Sequence, residues 1–319
     1  MRVAVVGAGG VGGYVGALLA RAGHEVVLMA RGAHADAIRE RGLRIVGDSE
    51  TFIARASCPA PGDAVAPATL VVLAVKSYDL EAAVPTARSL CDEHGTVLTL
   101  VNGVDAAEAL ARVVPAGQLI VGQITIGAWR EAPGVVHQHG ARRRIAMGGW
   151  TAGDSPVARA CGDVLADAGF DIEIVADAPS LVWTKLVWAA SYGAVSALAR
   201  AAAGEVRSSP GLHAMLRAML VEGVRVGQAL GLAVPETTVD DWLAVLARLD
   251  AGGKTSMLRD AERSGRLELD ALSGAIVLRG ARVGVPTPLH ALACDLLGPA
   301  HQRALAAGRF TLVSEAPAT

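Results

Sequence analysis

Aromatic residues are scarce in this chain, at 3% of 319 residues, which leaves no material for the stacked platforms that hold single-stranded nucleic acid. An excess of either charge is also missing, since 29 Lys and Arg face 31 Asp and Glu for a net charge of −2. Neither nucleic acid nor an anionic membrane surface would find a global field here. Cysteine is limited to positions 58, 91, 161 and 294, with no CxxC pair and no histidine at zinc-site spacing, so a disulfide scaffold and a zinc site are both unsupported and reduced, mostly buried thiols are expected. His137 and His139 would share one strand face, but no acid or thiol accompanies them as a third metal ligand.

Long apolar runs are absent too. The stretch between Arg2 and Arg21 is uncharged and superficially resembles a signal peptide, yet it holds Gly7, Gly9, Gly10, Gly12, Gly13 and Gly16, each costing about 1 kcal/mol inside a helix. The uncharged segment 113–129 is broken by Pro115, Gly117, Gln118 and Gln123. A soluble, cytoplasmic protein is the expectation, with no membrane partner.

What the chain does have is length for about two domains at roughly 150 residues each, and 52% hydrophobic residues against 19% charged ones, far from the disordered regime. Strand-like runs at 2–6, 25–30, 70–75, 96–101, 118–126, 135–147 and 172–175 alternate early on with helical spacing at 11–21, 33–40 and 79–90, where Pro85 is expected to kink or shorten the helix. Strands rich in Val, Ile and Leu predict a parallel sheet covered on both faces. After Asp177, a helix N-cap with Pro179 just inside, helical patterns take over at 180–200, 210–230, 236–249, 255–263, 268–283 and 287–305. The expected architecture is therefore α/β, with a Rossmann-type parallel-sheet domain at 1–177 followed by an all-helical domain at 178–319. Residues 314–319 are expected to fray.

Gly7-Ala8-Gly9-Gly10-Val11-Gly12 is a GxGxxG motif that follows a strand and opens a helix. Gly7 permits the tight turn, Gly9 lets the backbone approach a pyrophosphate, Gly12 allows close helix-to-strand packing, and the helix start, Gly10 included, offers unpaired N–H groups to phosphates. At the end of the second strand, where NAD-binding proteins place an acid, this chain has Arg31. A guanidinium there favours the 2′-phosphate of NADP, and Lys76 could add a second cation. Asn102-Gly103 follows a strand at its carboxyl end, the edge where open α/β sheets bind ligands. Lys185 lies between Trp183 and Trp188 on a stretch without another charge until Arg200, where burial would lower its pKa and suit it to a functional role. Asp79, Ser256 and Glu268 carry no distinguishing spacing of their own.

Taken together, GAGGVGGYVGALLARAGHEVVLMAR, AVKSYD, VNGVD, WTKL and TSMLRDAERSGRLELDALSGAIVLRGARVGVPTP resemble the ketopantoate reductases (2-dehydropantoate 2-reductases) over nearly the whole chain. The resemblance implies an NADPH-dependent reductase of a 2-keto acid, most simply ketopantoate to pantoate on the route to pantothenate. It also implies Lys185 as proton donor to the ketone oxygen, Glu268 holding substrate polar groups, Ser256 on the substrate carboxylate, Asn102 near nicotinamide and substrate, and Arg31 with Lys76 on the 2′-phosphate. The chain departs from the family in one place, with Ala189 and Gly193 where asparagines are typical. Tyr192 and Ser196, at i+7 and i+11 from Lys185, fall on roughly its helix face and are the expected replacements. A reductase of a bulkier ketone or an imine is one alternative, and a non-catalytic NADP sensor is another. A homodimer is left open.

Overall fold

The computed structural model describes residues 1–307, and the fraying expected for 314–319 lies outside them. In chain order the elements are β1 (Arg2–Val6), α1 (Gly10–Arg21), β2 (Glu25–Met29), α2 (Gly32–Arg41), β3 (Leu43–Gly47), β4 (Thr51–Ala54), β5 (Ala68–Leu73), α3 (Leu80–Leu90), β6 (Cys91–Thr99), α4 (Asp105–Leu110), β7 (Leu119–Ala132), β8 (Val135–Gly149), α5 (Pro156–Asp167) and β9 (Asp171–Ile174). Helices follow: α6 (Ala178–Ala199), α7 (Ala203–Ser208), α8 (Pro210–Ala229), α9 (Thr238–Arg248), α10 (Ser256–Glu262), a π-helical turn (Asp270–Gly274), α11 (Ala275–Val283) and α12 (Pro288–Ala306). Two compact units result, Met1–Val101 with Asp105–Leu181, and Asn102–Val104 with the chain from Val182 onward.

In the first unit a nine-stranded sheet runs β2-β1-β5-β6-β7-β8-β3-β4, with β9 also paired to β8. The strands from β2 to β7 are mutually parallel, and β1, buried on both faces, shows why they read as continuous apolar runs. The sheet is not wholly parallel, however. β7 and β8 form a long antiparallel hairpin across Pro133-Gly134, and β3 pairs antiparallel with β4. Gly134 adopts φ +75, so the two-residue connection is a hairpin turn and a crossover is unnecessary. α1 contacts β1, β2, β3, β4, β7 and β8, and its buried face of Tyr14, Val15, Leu18 and Leu19 joins the apolar core of this unit. α3 runs through Pro85.

The second unit is built around α6, whose Trp183, Leu186, Val187, Ala190, Ala194 and Val195 are fully or almost fully buried. A helix this apolar on all sides belongs inside a helical core. α8 approaches it closely because Gly223 and Gly227 have no side chains there: a Cβ on Gly227 would stand 2.3 Å from Trp183 Nε1. The indole N–H of Trp183 instead donates to the Gly223 carbonyl at 3.0 Å. Among the described residues no helix is long and apolar enough to cross a membrane.

Candidate active site

In the first unit three parallel strands end level, with Val6 of β1 paired to Met29 of β2 and to Leu73 of β5. The chain goes from β1 to β2 on one side and later to β5 on the other, so the loop after β1 lies at a topological switch point, where open α/β sheets bind ligands. That loop carries the glycines. Gly7 has φ +100, and a Cβ on it would meet Val75 and the Ala74 carbonyl within 2.8 Å. At Gly12 a Cβ would stand 2.1 Å from the Gly7 carbonyl, and at Gly10 2.6 Å from the Ala128 carbonyl on β7. Gly9 differs, because nothing lies within 4 Å of its Cβ position. It is the N-cap of α1 without a side-chain cap, so the first-turn N–H groups, which no capping side chain satisfies, adjoin an open approach. A phosphate fits that arrangement.

Arg31, the N-cap residue of α2, follows β2 with its side chain 77% exposed, and its guanidinium pairs with Asp79 at 2.9 Å. Lys76 stands three residues beyond β5, at the start of the 3-10 turn Ser77–Asp79. The edge thus joins the glycine loop, two cations and one acid that the sequence did not single out.

In the second unit Lys185 lies one turn into the buried part of α6. Its side chain keeps partial exposure, yet the surrounding protein strips enough water to hold its pKa below the ordinary lysine range, and burial is the only cause. Trp242 of α9 donates its indole N–H to the Thr184 carbonyl at 3.1 Å and stacks on Trp188 at 5.0 Å, which in turn lies 4.7 Å from Tyr192. An ammonium so placed can protonate an oxygen that gains negative charge.

The remaining residues sort themselves by height along α6. At about 1.5 Å rise per residue, Tyr192 is roughly 10 Å and Ser196 roughly 16 Å from Lys185 along the axis. Ser196 is fully buried and its hydroxyl donates to the Ala201 carbonyl at 2.7 Å, closing the helix end, while the Tyr192 hydroxyl faces the Gly253 carbonyl at 3.4 Å. Tyr192 thus stands at a height between Ala189 and Gly193, whereas the Ser196 hydroxyl is committed to the end of its own helix. Next to Gly193 the space is filled by Met257, whose Cβ and Cε lie 3.5 Å from a Cβ built there. Met257 immediately follows Ser256, the exposed first residue of α10, where Thr255 caps the helix by accepting from Leu258 N–H at 3.0 Å.

Glu268 is buried just before the π-helical turn. That turn is fixed by the Gly274 N–H donating to the Leu269 carbonyl at 3.0 Å, and by Ser273, whose hydroxyl faces His290 Nδ1 at 3.2 Å. His290 Nε2 faces the Met219 carbonyl at 3.1 Å, and burial pushes its pKa down to about 4. The ring is therefore neutral, with Nε2–H donating and Nδ1 accepting. The exposed Asn102 sits beside Gly103, whose φ of +89 lets the turn rest on the Ala271 carbonyl, 2.8 Å from where a Cβ would be. Asn102 is thereby brought near the π turn, which Glu268 precedes in the chain. No group of three or more His, Cys, Asp or Glu among the described residues is placed to hold a metal ion.

Residues 3–152 match the family described as ketopantoate reductase PanE/ApbA, and residues 177–301 its C-terminal part. The 2-dehydropantoate 2-reductase of Halobacterium salinarum is 34% identical over 93% of this chain and 98% of its own, and that of Mesorhizobium japonicum 30% over 90% and 94%. A ketopantoate reductase structure from Ralstonia eutropha JMP134 superposes with a TM-score of 0.86 at 30% identity, covering 96% of this chain and all of the other. A ternary D-mandelate dehydrogenase structure with NADH and anilino(oxo)acetate shares the fold at TM-score 0.88 and 22% identity, over 96% of this chain and all of the other. This chain belongs to the ketopantoate reductase family and is an oxidoreductase.

Proposed function

We propose that the protein reduces 2-dehydropantoate to pantoate with NADPH, using residues 1–177 for the dinucleotide and residues 178–319 for substrate and acid catalysis. The observation that carries this is Lys185, whose pKa burial holds below the ordinary lysine range on a helix within the matched C-terminal region. Bound NADPH supplies the hydride to the ketone carbon. Lys185 Nζ gives its proton to the ketone oxygen as the C=O bond becomes C–O–H, and recovers one from water through its partly exposed side. Ser256, at the start of α10, holds the substrate carboxylate, and Glu268 with Asn102 orients its remaining polar groups. The pyrophosphate is held at Gly7, Gly9, Gly10 and Gly12, with Asn102 toward the nicotinamide, and Arg31 with Lys76 grips the 2′-phosphate once Arg31 exchanges Asp79 for it.

A second reading, a reductase of a bulkier 2-keto acid, draws on Ala189, Gly193 and Met257, which offer flexible apolar surface where family members place amides. A panel of 2-keto acids with NADPH consumption as readout decides between them. Ketopantoate should give the highest kcat/KM. A longer apolar 2-keto acid ahead of it would favour the second reading, and no turnover with any ketone or imine would leave only a dinucleotide sensor.

A further inference from the structure

His34 is the third residue of α2 and is buried. Its Nε2 lies 2.7 Å from the carbonyl of Ala8 in the glycine loop, and its Nδ1 lies 2.9 Å from the N–H of Gly134 in the β7–β8 turn. A carbonyl only accepts and an amide N–H only donates, so one tautomer satisfies both: neutral imidazole with the proton on Nε2. Burial, with Arg130 adding to it, holds the ring's pKa below its ordinary value, in keeping with that neutral form. One side chain thus joins three segments that meet at the ligand-binding edge, and the join is tight. A Cβ on Gly134 would stand 2.8 Å from Ala37 of α2.

The consequence falls on Gly9. In a trans peptide the C=O and N–H point in opposite directions, and no peptide bond among the described residues is cis. When His34 draws the Ala8 carbonyl to itself, it turns the N–H of Gly9 the other way, at the residue whose Cβ direction is open. We propose that His34 is a positioning residue for the dinucleotide pyrophosphate, locking the Ala8–Gly9 peptide so that the Gly9 N–H is presented to the phosphate before it arrives. This rests on the dinucleotide reading above and assigns a residue outside the GxGxxG motif to it. Orienting a donor in advance removes part of the ordering cost of binding.

The test uses side chains that reach different partners. The amide of His34→Gln extends as far as Nε2 and can donate to Ala8. That of His34→Asn reaches only the Nδ1 position and can serve Gly134 alone, while His34→Phe keeps the volume and neither bond. NADPH affinity is measured directly by fluorescence titration of the intact protein, below the melting temperature of each variant. Gln should stay within about threefold of wild type, whereas Asn and Phe should bind about tenfold more weakly, near the upper end of what one neutral hydrogen bond contributes. Adenosine 2′-monophosphate, which lacks the pyrophosphate, should bind all four proteins alike. At saturating NADPH, kcat and the KM for keto acid should be unchanged. Asn binding as tightly as Gln would overturn the proposal, as would an equal loss for adenosine 2′-monophosphate, which would mean general unfolding of the edge. Because Gln and Asn are both small polar changes, the comparison stands even if Phe fails to fold. Should wild type bind neither NADPH nor NADH, the dinucleotide reading itself falls.

Discussion

Replacing Lys185 by Met keeps a long, flexible side chain and removes the charge, so it separates the lysine's chemistry from its packing. If Lys185 is the proton donor, kcat should fall by about 10²- to 10⁴-fold, equivalent to about 2.7 to 5.4 kcal/mol of barrier. NADPH affinity by direct titration should be unchanged, because the residue acts on the ketone. The stability consequence has the opposite sign. Burial lowers the pKa of Lys185 in the folded protein and nothing charged offsets it, so between the folded and unfolded pKa values the unfolded chain binds more protons. Stability then rises with pH across that window, and below the unfolded value the burial of this lysine is a burden on the fold. Lys185→Met should therefore melt higher than wild type at pH 7, and the difference should shrink as the pH climbs toward the unfolded lysine value of about 10.4. Activity carries the same signature, since an acid must be protonated: wild-type kcat/KM should decline with rising pH below that same value, and the decline should vanish from the residual activity of the variant. A slower enzyme that is also less stable at pH 7 would refute the reasoning, because the lysine would then be held by favourable contacts. Retention of more than about a tenth of wild-type turnover would refute the acid role.

Arg31→Ala should raise the KM for NADPH about tenfold and leave that for NADH nearly alone, the modest size following from a side chain 77% exposed and already paired with Asp79; equal effects on both cofactors would remove the 2′-phosphate role. Met257→Ala, by opening the flank of Gly193, should shift relative kcat/KM toward 2-keto acids with longer apolar tails by at least tenfold, the scale of one or two methylenes in an apolar pocket. The carboxylate of Glu222 in α8 accepts from the N–H groups of Leu289 at 2.9 Å and His290 at 3.1 Å at the start of α12, so Glu222→Ala should cost about 2 to 4 kcal/mol in denaturant unfolding by stranding one buried and one part-buried donor.

The parts of this fold that were legible in the sequence are those where local pattern and tertiary environment agree. β1, β2, β5 and β6 are buried in a parallel stack, so an apolar run is all they need, and the glycine motif announces itself because backbone must pass where no Cβ fits. The antiparallel strands were harder. β7 and β8 look like two more runs, and only Pro133-Gly134, too short for any crossover, signals that they fold back on one another. Short β3 and β4 are masked by their half-exposed alternation around Gly47–Glu50.

The sequence pointed to candidate side chains one at a time and was silent about their pairs. Arg31 could be read from its place after β2, but not Asp79, which becomes relevant only when the sheet brings β2 and β5 to either side of β1. Ser196 shows what a face alone leaves out. Periodicity reports the angle around a helix and is silent about hydrogen bonding, and the Ser196 hydroxyl is taken by the Ala201 carbonyl at 2.7 Å. Met257 filling the flank of Gly193 could not be read at all, because that contact joins α6 to α10 across 64 positions of chain. If the flank of Gly193 faces the substrate, as the second reading has it, a Gly193→Asn change made to restore the residue that the resemblance implies should fail on its own, since Met257 lies 3.5 Å from a Cβ there and stands in the way of the amide. Only the double change with Met257→Ala should recover hydrogen bonding to a polar substrate, and a single Gly193→Asn variant with improved kcat/KM for ketopantoate would show that Met257 yields freely and does not set the pocket.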